Sequence, residues 1–283
     1  MESLIIYVYL ESEQTKDNLN FFIKNGIIKE DKYKYVFLIN NNVCSLHPFA
    51  GVYDNVEVIF RKENSGDIYT YNWFIEKMGN DYFNKFSNIY FINSSCIGPF
   101  IPAYSSLNWV ETCNEMLKNY EMIGPVCEIP PDNLGFKCLG LNITKNIPFI
   151  HSYMFGVNRK GFSIIKDNVF TNMVIGDKSN LIFNLERKIT SVILLSGGRI
   201  KSFLSRFKNI DLNNKDNWIT EKWNLPGLPT CYEVPNNYFG IDLNPFEIMF
   251  VKNIRNNNES RSINHSFISP KLKLELSNYK KWM

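Results

Sequence analysis

The run Ile89-Tyr90-Phe91-Ile92 and the abrupt change of character after it constrain this chain most. Consecutive aromatic and β-branched residues read as a buried strand. The chain then continues Asn93-Ser94-Ser95-Cys96-Ile97-Gly98-Pro99-Phe100-Ile101-Pro102. Small polar residues and two prolines force it out of the sheet and into a turn. In an open α/β sheet, the carboxyl end of a strand that opens into a polar loop is where ligands bind.

The neighbouring sequence supports such a sheet. Leu4 to Leu10, Tyr33 to Asn40 and Val56 to Arg61 are strand candidates, and a helix-compatible segment from Ser12 is stopped by Gly26. Tyr71, Phe74, Ile75 and Met78 fall at helical spacing between Ile68 and Met78, with Gly79-Asn80 as the stop. Strand, helix, strand, strand, helix, strand is the order of a mostly parallel sheet with crossover helices. Further on, Trp109 to Tyr120 has a helical pattern, Met122 to Val126 is a short strand or turn, and Cys127 to Gly140 reads as a loop over a cleft. Phe149 to Val157 reads as one central strand, and Asn184 to Leu195 as a helix stopped by Gly197-Gly198. Asp211 to Asn237, with Trp218 and Trp223, reads as a long ordered loop. The expected fold class is α/β, Rossmann-like, with a mixed, mostly parallel central sheet flanked by helices. No linker divides the 283 residues.

Composition narrows function mainly by exclusion. A net charge of +3 with scattered basic residues gives no electrostatic footprint for nucleic acid. The six cysteines form no CxxC pair, which argues for free thiols in a reducing compartment. The start, Met1 to Tyr9, has no basic segment and reads as a first strand, not a signal peptide. No apolar window reaches the length of a membrane span. Asn-X-Ser/Thr triplets at Asn93, Asn142, Asn258 and Asn264 are what chance gives in an Asn-rich chain.

No GxGxxG, P-loop, HExxH or GxSxG motif is present. The three histidines, His47, His151 and His265, are scattered, so a histidine zinc centre is not expected. His151 interrupts an apolar run and is either a satisfied structural residue or a ligand contact. Asn64-Ser65-Gly66-Asp67 comes after a strand and opens a helix. It reads either as a loop with a cap or as a place where Gly66 lets the backbone approach a ligand and Asp67 accepts hydrogen bonds. Asp67, Glu128, Glu186 and Glu247 are the carboxylates considered for chemistry, and Arg199, Lys201, Lys252 and Arg255 the cations.

In order, these landmarks resemble the glycosyltransferase A-like (GT-A-like) proteins of large DNA viruses and the related bacterial rhamnan-type polysaccharide glycosyltransferases. The matching pieces are Asn64-Ser65-Gly66-Asp67, Tyr90 to Phe100, Trp109, Ile123-Gly124-Pro125, His151-Ser152-Tyr153-Met154-Phe155, Glu186 before a helix, and Asn244-Pro245-Phe246-Glu247 through Lys252. The resemblance implies a single GT-A-like domain over residues 1–283, with a nucleotide-sugar half (1–100), an acceptor half (101–255) and a C-terminal tail (256–283). It implies transfer of a sugar from a nucleotide-diphosphate donor, a UDP-sugar foremost, to a glycan hydroxyl in surface or capsid polysaccharide synthesis. A catalytically inactive glycan-binding or assembly protein is the alternative. Asn64, Gly66, Asp67, Asn93, Ser94, Ser95 and Lys252 would bind the donor. Glu186, Glu247, Glu128 and His151 would be the catalytic candidates, a carboxylate being needed to take the acceptor proton if transfer inverts. Where such proteins carry an acidic metal motif this chain has Asn93-Ser94-Ser95, so Mn²⁺ or Mg²⁺ dependence stays open. Position 244 is Asn where the family often has His. The implied setting is cytoplasmic, host cytoplasm for a viral protein, or the virion.

Overall fold

The computed structural model describes residues 2–45, 53–63, 66–129, 136–143, 147–171, 173, 185–218 and 243–252. His47, Asn64, Ser65, Trp223, Arg255 and His265 lie outside the described residues. The first half comprises β1 (Ser3–Tyr9), α1 (Glu13–Asn25), β2 (Tyr33–Ile39), β3 (Val56–Phe60), α2 (Asp67–Phe83), β4 (Asn88–Asn93) and β5 (Cys96–Ile97). Then come α3 (Trp109–Leu117), β6 (Met122–Gly124), β7 (Cys127–Glu128), β8 (Phe136–Cys138), β9 (Leu141–Ile143), β10 (Phe149–Ile150) and β11 (Met154–Asn158). The described chain ends with α4 (Arg159–Ile165), α5 (Arg187–Leu195), β12 (Ile200–Ser202), α6 (Pro245–Ile248) and β13 (Val251–Lys252).

A seven-stranded sheet in the order β12-β6-β11-β4-β1-β2-β3 organises the molecule. β11 runs antiparallel to β4 and β6, and the other pairings are parallel. This is the expected α/β class. β1 is buried along its whole length, because helices cover both faces of the sheet. Tyr7 and Tyr90 point to one layer, where they meet Phe22 of α1 and Trp109 of α3. Phe91 points to the other, against Tyr71 of α2 and Phe155 of β11, and Phe83 of α2 stacks on Phe162 of α4. Local signals set the helix starts: Ser12 and Thr15 form a reciprocal cap on α1, and Asn108 and Glu111 do the same for α3.

At the amino edge of the sheet a buried polar hub joins three elements. Asn114 Oδ1 of α3 accepts from Ser3 Oγ (3.0 Å), Asn88 Nδ2 (2.7 Å) and Tyr90 OH (2.6 Å), and its Nδ2 donates to Glu2 Oε1 (3.1 Å). Buried polar atoms cost little only when satisfied in this way.

Three local expectations need correction. Phe149 to Val157 is not one strand: β10 pairs with β7 outside the main sheet, and the chain turns at His151-Ser152-Tyr153 before β11. The His-Ser pair takes its hydrogen bonds elsewhere, from His151 N to Val126 O and from Ser152 to Glu186. α2 does not stop at Gly79, which takes φ +69° and kinks the helix, and regular turns resume to Phe83. The segment Cys127 to Gly140 contains β7 and β8 as well as loop.

Candidate active site

The strand order reverses direction between β1 and β4, since the chain builds outward to β3 on one side and then returns to β4 on the other. The carboxyl edge at such a switch point is the natural ligand crevice of an open sheet. Two features meet there. One is a cleft of about 290 Å³ beyond β1 and β2, lined by Leu10, Glu11, Ser12, Lys16, Asn41 and Val43. Glu11 accepts from the Ser45 amide and from Tyr9 OH (3.4 Å), and Lys16 Nζ lies 3.8 Å from it. Glu11, Lys16 and Asn41 carry no motif, so the sequence did not single them out.

Beside this cleft, Arg61 is buried at the end of β3, donating to Asn40 Oδ1 (3.1 Å) and Thr70 Oγ1 (2.9 Å), with its guanidinium over the Trp73 ring. Burial lowers its pKa, the Glu63 charge opposing. Thr70 Oγ1 donates to Gly66 O at 2.6 Å. Arg61 thereby pins the end of β3 to the first turn of α2 and fixes where Gly66 and Asp67 stand.

The second feature lies beyond β4. Asn93 Nδ2 donates to Asp67 Oδ2, and Asn93 Oδ1 accepts from Ser95 N (3.0 Å) and Ser95 Oγ (2.5 Å). Ser94 is turned inward: its Oγ accepts from Leu10 N (3.3 Å) and its carbonyl from Asn18 Nδ2 (2.8 Å). Of the three predicted donor contacts in this turn, Ser94 is therefore committed to holding the loop. Burial raises the pKa of Asp67, with the Glu186 charge adding to the rise, while the Asn93 amide, the Ile68 amide and Lys252 pull it down. Contacts through the Ser152-Tyr153 turn link these residues: Asn93 bonds Asp67 through its side chain and Tyr153 O through its backbone amide (3.0 Å), Ser152 holds Glu186, and Lys252 lies over the Tyr153 ring.

Glu186, at the start of α5, is held on one oxygen. Its Oε1 accepts from Ser152 N (3.0 Å) and Ser152 Oγ (2.8 Å), and its Oε2 has no hydrogen-bond partner among the described residues. Behind it, His151 Nε2 and Glu128 Oε1 stand 3.3 Å apart, both side chains buried, and the His151 ring stacks on Phe149. The Arg187 guanidinium lies over the Phe149 ring, 5.3 Å from its centroid, and burial lowers its pKa against the charges of Glu128 and Glu186. Lys252, on β13, sits 5.9 Å from the Tyr153 ring centre. Its strand is held against β5, where Gly98 is required: a Cβ there would come within 2.5 Å of Met249 O and 2.6 Å of Phe250 Cδ1.

Glu247 is placed apart from this group. It lies in α6, accepts from the Ser205 amide, and lines a different cleft with Lys201 and Phe246. Nor does the β4 turn suit a hard cation. The Asn93 amide and the Ser95 hydroxyl are used on each other and on Asp67, Ser94 faces inward, and the turn contains no carboxylate. Among the described helices none is long and apolar enough to cross a membrane.

No protein-family model matches the chain, and no curated protein matches it at a significant level. Among solved structures, partial similarity is found to the mannosyltransferase PcManGT from Pyrobaculum calidifontis in complex with GDP-Man and Mn²⁺, at 10% identity over 71% of this chain and 53% of that one, TM-score 0.42. S. aureus TarS 1-349 in complex with UDP-GlcNAc gives 13% identity over 59% and 47%, TM-score 0.35. GalNAc-T7 with UDP, GalNAc and Mn²⁺ gives 11% over 70% and 41%, TM-score 0.40. The chain spans about half the length of these structures. TM-scores below 0.5 leave the reading of the site to its own geometry.

Proposed function

We propose that the protein is a GT-A-type glycosyltransferase that moves a hexose or deoxyhexose from a nucleoside-diphosphate sugar, a UDP-sugar foremost, to a glycan hydroxyl. The observation that carries this reading is the Glu186 carboxylate, fixed through Oε1 by Ser152 with Oε2 left open, next to the Tyr153 that the Asn93 amide and Lys252 contact at the sheet's switch point. A group held in one orientation with one free oxygen is what a general base requires.

In this reading the nucleoside occupies the cleft of Leu10, Glu11 and Asn41. Asp67, Asn93 and Ser95 contact the ribose and diphosphate, while Ser94 holds the loop that carries the latter two. The acceptor hydroxyl gives its proton to Glu186 Oε2 as its oxygen bonds to the anomeric carbon. The bond from that carbon to the diphosphate oxygen breaks, and the nucleoside diphosphate leaves from the opposite face, so the anomeric centre inverts. Lys252 and Arg187 meet the charge that develops on the leaving group, the work of preorganised cations, and transfer proceeds without a divalent metal. Glu128 and His151 support the Ser152 turn from behind. Glu247 is not given the base role, because its carboxylate is engaged at the other cleft. The acceptor is a surface or capsid glycan, and the enzyme works in the cytoplasm, that of the host for a viral protein.

The test is a thermal-shift titration with UDP-, GDP- and dTDP-sugars, with and without Mn²⁺. A donor at about 100 times its Kd stabilises the fold by roughly 2.7 kcal/mol. One nucleotide class should stabilise the protein, equally with and without Mn²⁺, and be slowly hydrolysed. No shift with any nucleotide sugar at millimolar concentration overturns the reading. A shift with glycan alone assigns a non-catalytic binding role instead.

A further inference from the structure

The second cleft, about 330 Å³, opens between α3, the end of β12 and α6, and none of Asp67, Asn93, Glu186 and Lys252 lines it. Its size falls within the range of small-molecule sites, roughly 300–1,000 Å³. Ile101, Pro102, Met116, Phe203 and Phe246 form its apolar wall. Phe246, packed edge-on against Phe100, is still 41% exposed, and an apolar ligand would cover part of that surface.

The polar lining is unusual in what it lacks. Three of its hydroxyls are spent on main-chain carbonyls: Ser105 on Leu107 (3.0 Å), Thr112 on Asn108 (3.0 Å) and Ser202 on Pro125 (3.1 Å). Few groups remain to hydrogen-bond a sugar ring. Glu247, the acidic residue of the lining, accepts from the Ser205 amide. Two lysines remain. Lys201 is half-buried and reaches a carbonyl, that of Phe207, at 3.4 Å, and Lys208 is exposed. Neither has a carboxylate at ion-pair distance among the described residues. An apolar wall with two lysines and one carboxylate, that of Glu247 turned to the Ser205 amide, leaves one net positive charge and complements a ligand that is apolar along its length and anionic at its end.

We infer that this cleft binds a single-chain lipid phosphate, the chain against Phe203, Phe246 and Met116 and the phosphate met by Lys201 and Lys208. This goes beyond the transferase reading and does not depend on it. For a transferase, such a ligand would be the anchored end of an acceptor.

The experiment is calorimetric titration of the full chain with farnesyl phosphate, farnesol and inorganic phosphate. Farnesyl phosphate should bind, farnesol about tenfold more weakly, and inorganic phosphate not at all at about 1 mM, a tenfold step being ~1.4 kcal/mol. The double variant Lys201→Gln/Lys208→Gln should lose about tenfold in farnesyl phosphate affinity and keep that for farnesol. The same variant should bind nucleotide sugar as the parent does, so failure here is distinguishable from failure of the donor site. The inference is overturned if farnesyl phosphate gives no heat, if the double variant binds it unchanged, or if a nucleoside diphosphate displaces it.

Discussion

The two edges of the sheet treat polar side chains in opposite ways. At the amino edge, Asn114 uses both ends of its amide on Ser3, Asn88, Tyr90 and Glu2, and the group is largely buried. At the carboxyl edge, Asp67, Asn93, Ser152 and Glu186 are only half-buried, and Glu186 keeps one oxygen open. A hub that satisfies itself stabilises the fold and has nothing to offer a ligand. A cluster that stops short of satisfying itself costs stability and keeps its hydrogen-bonding capacity for something that arrives later. Substitutions at the two edges should therefore separate folding from function.

The largest separation is expected at Glu186. Glu186→Gln keeps the shape and the capacity to accept from Ser152, but removes the base. Transfer should fall by about 10²–10⁴-fold, with nucleotide-sugar affinity and urea midpoint near those of the parent. Rates and titrations on one preparation decide it. A variant that loses donor binding and keeps residual turnover would make Glu186 a donor contact, and the comparison between edges would have to be redrawn. At the other edge, Asn114→Ala strands the Tyr90, Ser3 and Asn88 donors in the interior. Buried groups left unpaired cost about 1–3 kcal/mol each at most, partly recovered by relaxation, so a loss of roughly 3 kcal/mol in urea unfolding is expected. Its Kd for nucleotide sugar, measured well below the unfolding midpoint, should not change.

The sequence made one edge far more legible than the other. β1, β2 and β4 were readable because strands covered on both faces are apolar almost throughout. The exit after Ile92 was readable because Gly98, Pro99 and Pro102 cannot continue a strand. The partnership of Ser152 with Glu186 was not, since 34 residues separate the two and each looks ordinary where it stands. The same holds for Asn114, whose partners Ser3 and Asn88 lie 111 and 26 residues away. The stretch from Phe149 to Val157 was misread for a related reason. Its apolar residues give the strand signal, and only the tertiary hydrogen bonds of His151 and Ser152 break it. Gly79 differs: glycine reads as a stop, yet here it merely bends a helix that tertiary packing holds on both sides, Tyr71 against Phe91 before it and Phe83 against Phe162 after it.

Gly98 tests the link between the β4 turn and Lys252. In Gly98→Ala the added Cβ meets the backbone at Met249 and the ring of Phe250, neither of which can swing away cheaply. Overpacking of this kind costs about 1–3 kcal/mol, and relief requires β13 to move off β5. Stability and nucleotide affinity should thus fall together. Hydrogen exchange at Val251 and Lys252 gives the direct readout, and slow exchange as in the parent would show that the pairing of β13 with β5 is not what Gly98 serves.

The smallest expected effect is also the sharpest in sign. Burial, more than any neighbouring charge, raises the pKa of Asp67, so the folded chain holds that proton to higher pH than the unfolded chain, whose aspartates titrate near pH 3.9. Between those two values the native state binds more protons, and stability falls as pH rises. Above both, the ionised carboxylate is a constant cost to the fold. Asp67→Asn removes that cost; its amide oxygen can still accept from Asn93, while the Ile68 amide loses its acceptor and only part of the gain is kept. The variant should melt about 2 °C higher than the parent at pH 7, with the gain fading to nothing near pH 3, where the parent's Asp67 is neutral as well. Its nucleotide-sugar affinity should drop by about tenfold, as expected for losing a hydrogen bond to a charged group. A variant that melts lower at pH 7 would mean that the bond from Asn93 to the carboxylate outweighs its desolvation. Asp67 would then belong with Asn114 as a residue that serves the fold.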